Sequence, residues 1–259
     1  MMKKIIVILM MLPLLAFAQN HSDKVVKKNR PSALNNGKFF SEDGKKMLYG
    51  GSSESQHFDI TDISLKEEQF HYGLGREAFP ALLEPEFNSV EKADEIWADD
   101  ARFLVAYSGD EVKAYSVKDL TRHEIVNDVL NGEPIMAAYC ILADLGAIYK
   151  RDYGGEVLTF GVSGYTYFDP EIWNGLDAFI LWDRETESLW WPLVEKAVSG
   201  PLKEVKLMEM DKSNWKDVTW KYIKETYPKA QVLKSNQDFE RPKGWDKKVD
   251  ISEIKKNYR

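Results

Sequence analysis

TRHEIVNDVLNGEPIMAAYCILADLGAIYKRDYGGEVLTFGVSG, residues 121–164, carries the reading of this chain. Thr121 and Glu124 stand as T-x-x-E, a capping box in which each side chain serves a free backbone N–H of the other's segment. Leu120 can staple to Ile125, and Asn131-Gly132 supplies a stop, so the spacing predicts a helix over 121–130. Pro134–Leu142 is apolar on both faces and reads as a buried central strand. Ala147–Tyr153 and Glu156–Val162 flank Gly154-Gly155 as a hairpin.

Working outward, Ser89 can cap a short helix over Val90–Ala98. Arg102–Ser108 and Glu111–Val117 form a hairpin about Gly109-Asp110. Further strands are predicted at Asp177–Trp182, Ser188–Trp191, Val205–Met210 and Ala230–Lys234, with a helix from Ser213 to Tyr227 stopped by Pro228. Nothing alternates strand with helix as a doubly wound sheet would. The expected class is α+β, strand-rich, built mainly of antiparallel hairpins with a few short helices. One such domain is expected over 39–235, followed by a charged tail, 236–259, that carries few apolar residues and is expected to be extended or mobile.

The N-terminus reads as an export signal over 1–18. Lys3 and Lys4 precede the apolar run Ile5–Phe17, and Ala16-Phe17-Ala18 is a small-x-small cleavage pattern. The run is too short for the ~20 residues that span a bilayer, and no cysteine follows it to carry a lipid. The expectation is an exported bacterial protein, periplasmic or extracellular, with no transmembrane anchor after cleavage and with residues 19–38 as a polar linker. Loss of Lys3 and Lys4 takes the formal charge from −7 to −9, which points away from nucleic acid, whose phosphates require Lys and Arg. About 240 mature residues can bury a core without disulfides, and one cysteine allows none internally. Eight Trp and twelve Tyr are read as core packing.

The candidate chemistry gathers around His123 and the single cysteine, Cys140. At the second position of the predicted helix, His123 would meet the positive end of the helix dipole, which favours the neutral imidazole that a ligand or base requires. Asn127 lies one turn on. Asp128 would share a face with Glu124, an arrangement of like charges that hints at a cation or basic partner. Glu124 itself is assigned to the cap. Cys140 near the end of its strand is either inert packing, a nucleophile with His123 as base, or a soft-metal ligand for copper or zinc, with Asp144 adding an oxygen. His123-Glu124-x-x-Asn127 lacks the second His of a zinc protease helix, and Gly161-Val-Ser163-Gly164 is followed by Tyr165, so neither a zincin nor a serine nucleophile elbow is present. Asp183, Arg184 and Thr186 form a polar turn where Arg184 could anchor an acidic ligand. His57 and His71 read as solvated loop residues.

The pieces AFPALLEPEF (78–87), ADEIWADD (93–100), HEIVND (123–128), YC (139–140), LTFGVSG (158–164), WDRETESLWWPL (182–193) and AVSGPL (197–202) are in the order and spacing of a known family. Over about residues 76–234 the chain resembles the bacterial family catalogued as domain of unknown function 3179. In that family a C-x-x-C pair follows the buried strand and implies a dithiol or soft-metal site. Here Ala143 replaces the second cysteine, which rules out a dithiol couple within the chain. Pro192 also departs from the polar residue common there. Three readings stay open: a soft-metal or cofactor module using His123 and Cys140, an enzyme with Cys140 as nucleophile, and a metal-free interaction protein. No small-molecule or protein partner is specified by the sequence.

Overall fold

A computed structural model describes residues 35–239 and 245–259; the leader expected over 1–18 and most of the linker expected over 19–38 lie outside them. The strands in chain order are β1 Asn35–Asn36, β2 Phe39–Glu42, β3 Lys45–Leu48, β4 Phe58–Asp59, β5 Phe70–Tyr72, β6 Phe87–Asn88, β7 Arg102–Ser108, β8 Glu111–Ser116 and β9 Ile125–Leu130. They continue with β10 Glu133–Cys140, β11 Leu145–Lys150, β12 Phe160–Tyr167, β13 Ala178–Asp183, β14 Leu189–Trp191, β15 Lys196–Ser199, β16 Trp215–Thr219 and β17 Gln231–Leu233. The helices are α1 Val90–Asp94, α2 Val117–His123, α3 Trp220–Thr226 and α4 Ile251–Tyr258. The fold is thus α+β and strand-rich, and all pairings between named strands are antiparallel except β8 with β17.

The layers follow from strands whose two faces are both apolar. A three-stranded sheet, β11-β10-β9, lies at the centre. On one face Met136, Ala138 and Cys140 pack with Val162, Phe179, Leu181 and Trp190 of the six-stranded sheet β1-β5-β12-β13-β14-β15. On the other, Ile135, Ala137 and Tyr139 pack with Leu104, Ala106 and Tyr115 of the five-stranded sheet β16-β7-β8-β17-β6. The far face of the six-stranded sheet is covered by Leu48 and Phe58 of the small sheet β2-β3-β4, and that of the five-stranded sheet by α1 and α3. Tyr and Trp serve these cores, with Trp190, Trp191, Trp220, Tyr115, Tyr153, Tyr165 and Tyr167 fully buried.

The β7–β8 hairpin turns at Gly109-Asp110 as read from sequence, with Gly109 at φ +57°. The region 121–130 departs from its reading. The helix begins earlier, because the Ser116 hydroxyl accepts the Asp119 N–H at 3.0 Å, and it ends at His123 because Glu124 turns left-handed (φ 57°). Residues 125–130 are strand β9, and Asn131-Gly132 (φ 48° and 81°) is the tight turn into β10. Two consecutive positive φ values suit a type I′ hairpin, for which Asn-Gly is the favoured pair. The T-x-x-E pattern was therefore overridden by a stronger turn signal and by the β-branched Ile125-Val126.

The helix expected over 213–227 divides similarly. Trp215–Thr219 is an edge strand on β7, and only Trp220–Thr226 is helical, capped by the Thr219 hydroxyl. At the C-terminus, where an extended tail was expected, Asp250 accepts the N–H groups of Ser252 and Glu253 and starts α4. Ile254 is wholly buried in the central core, and Tyr258 meets Tyr153 edge-on at 5.2 Å. No helix among the described residues is long and apolar enough to cross a membrane.

Candidate functional site

Cys140 ends β10, and its position on the apolar face of the central sheet brings it to a cavity of about 250 Å³. Val162, Tyr165 and Thr166 of β12 and Phe179 of β13 form one wall, and the loop 73–79 forms another through Leu74 and Phe79. The loop is seated by β12 itself. The strand bulges between Val162 and Thr166, and the Gly164 carbonyl accepts the N–H groups of Gly73 (3.0 Å) and Leu74 (3.1 Å). Gly164 has φ +84°, and a Cβ there would run into the carbonyl oxygens of Leu74 and Gly75. The G-V-S-G stretch is thus a docking step for a loop. Ser163 is locked inside it, its hydroxyl donating to the Ile180 carbonyl at 2.7 Å.

Among the described residues, Glu124 is the one ionisable carboxyl in the lining. The left-handed turn that stops α2 aims it there, and the backbone fixes the turn on both sides. Glu124 N–H donates to Leu120 O, and Glu124 O accepts the Tyr139 N–H at 2.9 Å, one residue before Cys140. Burial lifts the carboxyl to about 7, opposed only by the Ile141 N–H that donates to it. Burial, and next the Glu124 charge, push the Cys140 thiol up to about 11. The thiol is a donor, directed at the Asp177 carbonyl at 3.9 Å. At neutral pH the cavity therefore holds an un-ionised thiol beside a carboxyl poised between its two forms.

Thr166 completes the polar set. It lies between His71 on β5 and Phe179 on β13, and its buried hydroxyl has no hydrogen-bond partner among the described residues. A buried hydroxyl left unpaired costs about 1–3 kcal/mol. Thr166→Val is accordingly expected to raise stability by about 1 kcal/mol, measured by urea denaturation, where an ordinary Thr→Val change inside a satisfied site would lower it.

His123 is placed elsewhere. It ends its helix instead of starting it, so the dipole there favours imidazolium, and burial with the neighbouring Arg122 overrides this and lowers its pKa. Nδ1 donates to the Pro80 carbonyl at 2.7 Å, the ring meets Phe239 edge-on at 5.4 Å, and His123 does not line the Cys140 cavity. Asp144 lies on the Tyr139 side of β10, where it accepts the Tyr139 hydroxyl at 2.7 Å and pairs with Arg102, on the opposite face from Cys140. The trio His123, Cys140 and Asp144 is not assembled, and among the described residues no three His, Cys, Asp or Glu side chains gather as a ligand set.

The other candidates are built into the frame. Asn127 binds the Phe160 backbone in both directions, accepting at 2.9 Å and donating at 2.8 Å, which stitches β9 to β12. Asp128 is buried against Lys113 (2.9 Å) and the Tyr115 hydroxyl (2.7 Å), so the cation beside Asp128 is Lys113, whose other partners are the Val129 carbonyl (2.7 Å) and Glu111 (3.8 Å). Asp183 is fully buried and accepts from the Thr186 N–H at 2.7 Å and from Trp190 Nε1 at 2.8 Å; burial raises it to about 7. Arg184 is taken by Glu77, with Nε donating at 3.0 Å, and is not free to anchor an acidic ligand. His71, read as a solvated loop residue, sits on β5 with its ring paired to the Asp177 carboxylate.

Glu124 and Thr166 are the site residues that sequence reasoning passed over. Glu124 was explained by capping, and Thr166 carries no motif. The only available signal was Cys140 itself, the partnerless thiol on a strand buried on both faces.

Neither a curated protein nor a solved structure matches this chain. A family model does, over residues 76–253, from the loop that walls the cavity to the first residues of α4: the chain belongs to the family described as "Protein of unknown function (DUF3179)".

Proposed function

We propose that this protein is a binding module for a small, largely apolar molecule, held in the cavity beside Cys140 and Glu124. The observation that carries this reading is the lining itself. A carboxyl without a counter-cation among the described residues, an un-ionised thiol and the Thr166 hydroxyl sit in a cavity whose remaining walls are mostly apolar side chains, such as Val162, Phe79, Phe179, Ile141 and Leu142, and glycine backbone. Typical small-molecule sites are apolar concavities with few polar groups, at ~300–1,000 Å³. This one, at about 250 Å³, falls just below that range and suits a molecule smaller than most ligands. The export signal expected from the sequence over 1–18 would place this module in the bacterial envelope or outside the cell.

The alternatives have less support. A nucleophilic cysteine needs a thiolate and a base. Cys140 is held as a thiol, and its neighbour Glu124 stabilises that form. Copper or zinc would find Cys140 and Glu124 as donors at the cavity, fewer than the three protein ligands common at such centres.

Cys140 offers the test. With its pKa at about 11 in place of 9.0, methyl methanethiosulfonate should label the folded protein at pH 8 about 100-fold more slowly than a model thiol. Small apolar fragments should bind the native protein in ligand-observed NMR and should lose binding once the S-methylthio group occupies the cavity. Labelling at the model-thiol rate, or fragment binding indifferent to the label, would overturn the reading.

A further inference from the structure

Resting on that reading of the cavity, we propose that its occupant is an organic cation: an ammonium group set between the Glu124 carboxylate and the Thr166 hydroxyl, with a hydrocarbon body reaching the rim at Leu74, Ile141 and Leu142. The cavity has a direction. Cys140, Val162 and Phe179 are 1–3 % exposed at its floor, whereas Leu74, Ile141 and Leu142 are 39–48 % exposed. Its polar atoms belong to residues at least nine-tenths buried, Glu124 and Thr166, while the exposed rim residues are aliphatic. A molecule with one polar end and an apolar body therefore fits head first.

The sign of the head follows from what the lining lacks. Among the described residues, no Lys, Arg or His side chain lines the cavity. The ionisable groups of the adjoining elements are already engaged. Arg76 of the loop 73–79 pairs with Glu187 at 2.7 Å and lies 3.6 Å over the Trp182 ring, and Glu77 pairs with Arg184. From α2, His123 is bonded to Pro80, Arg122 is paired with Asn236, and Asp119 accepts from Ser235 at 2.9 Å. From β10 comes the Cys140 thiol, and from β12 the Tyr165 hydroxyl, which donates to Tyr49 O at 2.7 Å. His71 and Asp177 pair with each other.

Among the described residues Glu124 thus stands buried without a counter-charge, a state that proteins relieve by neutralising the group or pairing it. An anionic ligand would worsen it. An ammonium pairs the carboxylate, and the vacant Thr166 oxygen can accept a second N–H. Phe79, Phe179 and Tyr165 add aromatic surface of the kind that attracts cations. At about 30 Å³ per water-sized group, the volume admits roughly eight non-hydrogen atoms, room for a hexylammonium ion.

The test compares n-hexylammonium chloride, 1-hexanol and hexanamide by titration calorimetry against the mature full chain. Hexylammonium should bind at least 30-fold more tightly than hexanol at pH 8.5. That advantage should shrink about tenfold per pH unit below about 7, where Glu124 protonates. Glu124→Gln should abolish the advantage while retaining hexanol binding, and this retention shows that the variant has kept its cavity. If that variant does not fold, the pH dependence of the wild type decides alone. Equal binding of amine and alcohol would overturn the cation and leave the cavity standing. Hexanamide binding more tightly at pH 5.5 than the amine does at pH 8.5 would also overturn it, marking a protonated Glu124 that donates to a carbonyl. Failure of all three to bind would overturn the cavity reading and the cation with it.

Discussion

Glu124→Gln is expected to be more stable than the wild type at pH 8.5, by about 3 kcal/mol relative to the difference between the two proteins at pH 4. The carboxyl moves from 4.5 to about 7 on folding. Its folded pKa is raised, so its contribution is fully present below pH 4.5 and is lost as the pH rises through 7. Each unit is worth ~1.4 kcal/mol. The amide carries no such loss and can still accept the Ile141 N–H. Asp183, raised in the same direction, is common to both proteins and cancels in the comparison. Urea denaturation of both across pH 4–8.5 measures the difference directly. A wild type that gains stability relative to the variant as pH rises would mean that the carboxylate has a cationic partner.

Arg151→Ala is expected to cost about 3–5 kcal/mol, because it strips three buried carbonyl groups of their donor, each worth about 1–3 kcal/mol before relaxation. Nε donates to Ile135 O at 2.7 Å, one terminal nitrogen to Leu158 O at 2.7 Å and the other to Asp128 O at 3.0 Å. One guanidinium thus ties β9 and β10 to the segment that enters β12. Burial lowers its pKa to about 10, which leaves it charged at neutral pH. Arg151→Lys should recover less than half of the loss, since a single ammonium cannot reproduce the planar fork. Chemical denaturation at pH 7 reads both variants. A loss below about 1 kcal/mol for the alanine variant would show that water replaces the guanidinium at these carbonyls.

What could be read from the sequence was what local chemistry decides. The β7–β8 hairpin was visible in Gly109-Asp110 between two apolar runs, and β10 in a segment apolar on both faces. The hairpin expected about Gly154-Gly155 is reduced to a single bridge between Asp152 and Val157, because β11 pairs with β10 and β12 with β13 and β5. Another error fell where two local signals competed. Asn131-Gly132 ends helices and also turns hairpins, and only the pairing of β9 with β10 selects the second role. Once the helix moved to 117–123, His123 exchanged one end of a dipole for the other, and Glu124 passed from a cap to a cavity wall. The cavity itself was not legible, because it joins residues 73–79, 124, 140–142, 162–166 and 179, brought together by the stacking of two sheets. Nor was the fate of His123, which is fixed by Pro80 and Phe239 from distant parts of the chain.

Carbon-13 NMR of protein labelled at the glutamate side-chain carboxyl addresses the cavity most directly. One resonance should titrate at about 7, absent from Glu124→Gln and shifted to lower pH by hexylammonium. All glutamates titrating near their ordinary value of 4.5 would contradict a buried, uncompensated carboxyl beside Cys140.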